Sequence, residues 1–77
     1  MKILLVEDDL AIGKTVKKAF AENFDECIWE KDGQTGFDKA KTHQFDAIIL
    51  DLMLPKLCGL EVLKSIRFSG DKTPVIL

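Results

Sequence analysis

Residues 46–55 read DAIILDLMLP, and the reading of this stretch decides the fold. Asp46 to Leu50 is an apolar run of strand length, closed by a carboxylate at Asp51 and by a loop that runs to Pro55. A continuous apolar run, as opposed to an alternating one, suits a strand covered on both faces, as in parallel sheets flanked by helices. The same design stands at the start of the chain. Lys2 to Val6 (KILLV) is a short apolar run followed at once by Glu7, Asp8 and Asp9.

Between these two strands, Ile12, Val16, Ala19 and Phe20 recur at helical spacing, with Lys14, Lys17 and Lys18 opposite, which predicts an amphipathic helix. Asp8 or Asp9 is a natural N-cap for it. Cys27-Ile28-Trp29 reads as a second strand, and the flanking Glu26, Glu30 and Lys31 suit a guarded sheet edge. Lys31-Asp32-Gly33 signals a turn. Residues 34–43, with Phe37 and Ala40 as apolar anchors, read as a second helix that carries His43 near its end. Past Pro55, the positions Leu60, Val62, Leu63 and Ile66 mark a third helix with a broad apolar stripe, which Ser69-Gly70-Asp71-Lys72 breaks. Thr73 to Leu77 begins a fourth strand, and Pro74 is tolerated at a strand's first position. The order βαβαβαβ, without repeat or linker, predicts one α/β domain with a parallel sheet and right-handed crossovers. A chain that stops on Val75-Ile76-Leu77, where a strand should hand over to a loop, reads as cut.

Composition narrows the function. Thirteen acidic against eleven basic residues leave a net charge of -2, which speaks against direct contact with nucleic acid. No apolar run approaches the roughly 20 residues of a membrane span, and no leader opens the chain, so a cytoplasmic protein is expected. Cys27 and Cys58 form no Cys-x-x-Cys pair and read as reduced thiols. A Gly-x-Gly-x-x-Gly fingerprint and a Gly-Lys-Ser/Thr phosphate loop are both missing. His43 reads as an exposed side chain, and neither cysteine has a histidine evidently placed to activate it. Trp29 and the five phenylalanines read as core or edge packing.

In open parallel sheets, ligands bind beyond the C-terminal ends of the strands. Glu7, Asp8 and Asp9 follow the first strand, and Asp51 follows the third. If those strands are neighbours, the carboxylates converge. Clustered carboxylates repel and raise one another's pKa unless a cation neutralises them, and Mg2+ suits a few carboxylates with water and phosphate oxygens. An acidic pair after a strand also serves as a helix cap, and a lone Asp at a strand end as a turn residue. Composition and spacing leave both readings open.

KILLVEDD, IILDLMLPKLCGLEVL and TPVIL together resemble the receiver domain of two-component response regulators, in the class that carries a winged-helix DNA-binding domain after the receiver. The resemblance runs through the whole chain. Its most specific part is the Asp-x-Met-x-Pro-x-x-x-Gly pattern of Asp51, Met53, Pro55 and Gly59, coupled to the acidic pair after the first strand. It implies a flavodoxin-like sheet of order 2-1-3-4-5, present here as a truncated (βα)3β partial domain over residues 1–77. It implies that Asp51 accepts a phosphoryl group from a partner histidine kinase. Glu7, Asp8 and Asp51 would hold Mg2+ together with the backbone carbonyl of Met53, with Asp9 as a helix cap.

The departures lie at the far end. The family's Ser/Thr beyond the fourth strand and its Lys after the fifth would fall past Leu77, and Lys56 and Lys72 belong to other loops. The fourth helix, fifth strand and fifth helix, about 40 residues, are also outside the chain. The expectation is therefore a phosphoacceptor and not an enzyme, with impaired switching, and with DNA reached only through an absent effector domain. The alternative is a structural or engineered folding fragment that associates with itself through the open fourth strand, where Val75, Ile76 and Leu77 would be exposed. A phosphatase with an aspartate nucleophile fits poorly, because its motif needs a second Asp where Met53 stands.

Overall fold

The computed structural model describes residues 1–23 and 25–77. Seven elements follow one another: β1 (Lys2–Val6), α1 (Leu10–Glu22), β2 (Glu26–Glu30), α2 (Gly33–Ala40), β3 (Ala47–Leu50), α3 (Gly59–Phe68) and β4 (Val75–Ile76). The strands form one sheet of order β2-β1-β3-β4, and every pairing is parallel. The expected alternation and sheet order are both present.

The two apolar runs become the two inner strands, but only β1 is buried on both faces; in β3, Ile48 and Leu50 are buried and Ala47 and Ile49 on the other face are half-buried. Residues Ile3 to Val6 are at most 2% exposed. Successive side chains alternate between faces. Leu4, Val6, Ile48 and Leu50 join Ala40, Phe45, Val62 and Ile66 in one buried cluster under α2 and α3. Each of the larger of these side chains removed from water, Ala40 excepted, stabilises the fold by about 1.5–3 kcal/mol. Cys27 is buried on the edge strand β2, and Glu26 beside it stays exposed, which fits a guarded edge.

The helices depart from expectation in informative ways. In α1 the packed line runs through buried Gly13 and half-buried Val16 and Phe20, while Ile12 and Ala19 of the expected apolar stripe are exposed. Trp29 on β2 fills the space where Gly13 has no side chain, so α1 meets the sheet through Gly13 with Val16 and Phe20 beside it. Helix α2 ends at Ala40, short of the expected His43. His43 adopts φ 55, a left-handed conformation that leads the chain out of the helix, and Thr42 Oγ1 donates to the Lys39 carbonyl at 2.7 Å. His43 is thus a loop residue; its side chain is exposed, as expected, but lies 3.3 Å from the Asp71 carboxylate. In α3, Val62 and Ile66 are buried, whereas Leu60 of the broad stripe is 47% exposed.

Among the aromatic residues, Phe45 is buried and Phe37 packs against the core, but Phe68 is 95% exposed and so is not a packing residue. Phe24 lies outside the described residues. Strand β4 is the outer strand beside β3. It starts after Pro74, whose carbonyl accepts the Ile48 N–H at 2.9 Å; Ile76 and Leu77 are exposed as expected, whereas Val75 is half-buried because it packs against the core. No helix of the described residues is long and apolar enough to cross a membrane.

Candidate functional site

The parallel register of the inner strands pairs Val6 with Leu50. The ladder continues one step further, because Asp51 N–H donates to the Val6 carbonyl at 3.0 Å and Glu7 N–H to the Glu30 carbonyl at 3.0 Å. Glu7 and Asp51 therefore leave neighbouring strands side by side at the C-terminal edge of the sheet. Asp8 follows on the turn. One carboxylate oxygen each from Glu7, Asp8 and Asp51 lies within 4.8 Å of the others. Glu7 and Asp51 are half-buried and Asp8 is exposed, so the group is open to solvent on one side.

Local hydrogen bonds fix this arrangement. Asp9 caps α1: its Oδ1 accepts the N–H groups of Ala11 and Ile12 at 2.9 and 3.1 Å. Of the two cap candidates, Asp9 takes the cap and Asp8 remains free for the site. Glu7 Oε1 accepts the Asp9 N–H at 3.0 Å, and Asp51 Oδ1 accepts the Met53 N–H at 3.1 Å. Each inner carboxylate thus commits one oxygen to its own loop. The Met53 side chain is 81% exposed.

The loop after β3 is tied down at both ends. Gly59 N–H donates to the Leu52 carbonyl at 3.0 Å, and Gly33 N–H donates to the Pro55 carbonyl at 3.3 Å. Lys56, at φ 68, sits 3.6 Å from the Asp32 carboxylate that caps α2. The Thr35 N–H holds the Asp32 carboxyl below its usual range, with help from Lys56.

Burial pushes the Glu7 carboxyl above its usual range; the nearby charges of Asp51 and Asp8 and a hydrogen bond to Asp51 push it further, against the lowering effect of the Asp9 N–H. Oxygens sharing one Mg2+ stand about 2.9–4.2 Å apart, so carboxylates within 4.8 Å of one another need only a small closure to reach it. All three donors are hard oxygens, the set Mg2+ prefers. The residues fit the ion.

The other candidates fall elsewhere. His43 precedes β3 and so lies at the opposite edge of the sheet from Asp51. Cys27 and Cys58 are both free; burial pushes the Cys27 thiol up, as befits an inert core residue, and Cys58 occupies the N-cap position of α3. The sequence reading missed one contact of the site. The Trp29 indole N–H donates to the Glu7 carbonyl at 2.8 Å. No local pattern signals a contact between residues so far apart in the chain.

With this geometry in place, comparison with known proteins is direct. The family model described as response regulator receiver domain matches residues 3–77. The transcriptional regulatory protein CiaR of Streptococcus pneumoniae is 43% identical over 77 residues, which is 100% of this chain and 34% of that protein. The chain spans about a third of the length of the curated relatives it matches. The receiver domain of Francisella response regulator 1452 superposes with a TM-score of 0.92 at 34% identity, covering 96% of this chain and 61% of that one. TrrA of Thermotoga maritima, solved in complex with Mg2+ and BeF, gives 0.91 at 30% identity, covering 99% of this chain and 66% of that one. These neighbours share the flavodoxin-like parallel sheet. The chain belongs to the response regulator receiver domain family.

Proposed function

We propose that this chain is the phosphoacceptor module of a two-component regulator: Asp51 takes a phosphoryl group from a histidine kinase, with Mg2+ held by Glu7, Asp8, Asp51 and the Met53 carbonyl. The observation that carries the reading is the meeting of three carboxylates, from two loops remote in sequence, within 4.8 Å.

The chain's own groups account for the transfer. Asp51 Oδ1 is engaged by the Met53 N–H, so the other carboxylate oxygen is the nucleophile. It attacks phosphorus; the new P–O bond forms as the donor's P–N bond breaks, and the electron pair stays on the departing imidazole, which takes up a proton. Bound Mg2+ supplies charge neutralisation for the phosphoryl oxygens. Glu7 must be ionised for the site to load, and its raised pKa makes loading weaker as pH falls toward the carboxylate range. The half-buried position of Asp51 admits a phosphoryl donor from solvent.

On this reading the module is a substrate for phosphorylation and not an enzyme acting on others. CiaR is named a transcriptional regulator, and control of transcription is proposed here for the longer protein, with DNA bound by a part outside these 77 residues. Incubation with acetyl phosphate and Mg2+, followed by intact mass, tests the reading. One added phosphoryl group that disappears in Asp51→Asn supports it; an unmodified wild-type chain contradicts it.

A second reading, self-association through β4, is favoured by the 60% and 59% exposure of Ile76 and Leu77 on the outer strand. Sedimentation at high concentration tests it, and a clean monomer overturns it.

A further inference from the structure

Both backbone polar groups of Glu7 are held by β2. Its N–H donates to the Glu30 carbonyl at 3.0 Å, and its carbonyl accepts the Trp29 indole N–H at 2.8 Å. Trp29, the one tryptophan of the chain, is itself fixed. A Cβ on Gly13 would stand 2.0 Å from the indole, so the ring fills the space that this glycine leaves open on α1. The Lys31 ammonium is 5.0 Å from the ring centroid and adds a cation–π contact.

We propose that Trp29 is the positioning residue for the acidic turn after β1, and that its indole N–H tightens Mg2+ binding at Glu7, Asp8 and Asp51. The inference rests on the Mg2+ reading above. The carbonyl that Trp29 holds belongs to the peptide joining Glu7 to Asp8. The tilt of that peptide plane sets the direction in which the chain leaves the strand, and with it where the Asp8 carboxylate goes. Asp8 is the exposed member of the group, and no hydrogen bond to its carboxylate is found among the described residues. Its placement therefore depends on the backbone that carries it. A free peptide plane would let Asp8 swing away from Asp51, and binding would have to restore the order. A plane fixed in advance by a locked ring removes that entropic cost.

The test uses Trp29→Phe, which removes the indole N–H together with the ring atoms that lie against Gly13, so the effect of lost packing is gauged separately. Partners that orient metal ligands contribute about 10–100-fold in affinity. Trp29 acts through one backbone carbonyl, so a loss near the lower end, about tenfold, is expected. Mg2+ alone is titrated into the full 77-residue chain and followed by amide NMR shifts of Asp8 and Asp51. In the wild type the Trp29 indole N–H resonance shifts with the same midpoint. Ile66→Val, a core change under α3, serves as the control for general loosening.

Weaker Mg2+ binding in Trp29→Phe with unchanged binding in Ile66→Val supports the proposal. Equal affinity of Trp29→Phe and wild type overturns it while leaving the Mg2+ reading intact. Equal weakening in both variants overturns it too, since the effect is then one of stability. A wild type whose Asp8 and Asp51 amides do not respond to Mg2+ overturns the underlying reading, and this inference with it.

Discussion

The Cβ that Gly59 lacks would stand 2.1 Å from the backbone oxygen of Asp51. The first residue of α3 thus lies directly on the peptide of the proposed phosphoacceptor, and the Gly59 N–H also donates to the next carbonyl, that of Leu52, at 3.0 Å. This gives a steric reason for the glycine in the Asp-x-Met-x-Pro-x-x-x-Gly pattern.

Gly59→Ala is therefore expected to push the helix start away from the Asp51 loop. The neighbouring atoms are backbone and cannot rotate aside, so a loss of about 1–3 kcal/mol is predicted from overpacking. Chemical denaturation measures it. A variant as stable as wild type would show that the loop shifts at no cost.

Like-charge repulsion at the site gives a second expectation. Burial first, with the charges of Asp51 and Asp8 adding to it, raises the Glu7 pKa in the fold, so Glu7 favours the fold most at low pH, and this contribution is lost as pH rises through its folded pKa. At neutral pH without metal, Asp51→Asn should relieve the repulsion and raise Tm by about 2–4 °C. Added Mg2+ should raise the wild-type Tm and leave Asp51→Asn almost unchanged. A lower Tm for metal-free Asp51→Asn would contradict the repulsion.

The opposite edge of the sheet behaves with the opposite sign. Asp71 accepts the Thr73 hydroxyl at 2.5 Å and the Thr73 N–H at 2.9 Å, and its side chain is only 8% exposed. These bonds, with His43 adding to them, hold its pKa below the usual value. Its contribution is present above the ordinary aspartate range and is lost as pH falls below about 4. Thr73→Val removes the hydroxyl donor and should cost about 1 kcal/mol at neutral pH. The gap to wild type should narrow on acidification. A gap that widens below pH 4 would refute this assignment.

Lys56 carries a backbone penalty. At φ 68 a residue with a Cβ is strained, whereas glycine is at ease. Lys56→Gly gives up only a 3.6 Å ion pair from an exposed ammonium, so a Tm rise of about 2–4 °C is predicted. A fall in Tm would mean that the tie to Asp32 matters more than the strain.

What the sequence made legible follows from how each feature is encoded. The inner strands were readable because both are continuous apolar runs, KILLV and AIIL, although only β1 is buried on both faces. The positions of Glu7 and Asp51 just after those runs place both at one edge of the sheet, but that β1 and β3 are neighbours was implied only by the family resemblance. The face that α1 presents was not readable. Its rotation depends on the fit of Trp29 against Gly13, a contact between two elements that leaves no periodic trace. The end of α2 was hidden for a similar reason: a histidine at positive φ is tolerated but carries no composition signal. The tie from Trp29 to Glu7 belongs to the same class of long-range detail.

The central claim is that one divalent cation draws Glu7, Asp8 and Asp51 together. Anomalous diffraction from crystals of the chain grown with Mn2+ in place of Mg2+ tests it most directly. The account predicts a single strong peak between these three side chains, at bonding distance from carboxylate oxygens of Glu7, Asp8 and Asp51. A peak elsewhere, or none there at saturating Mn2+, would contradict it.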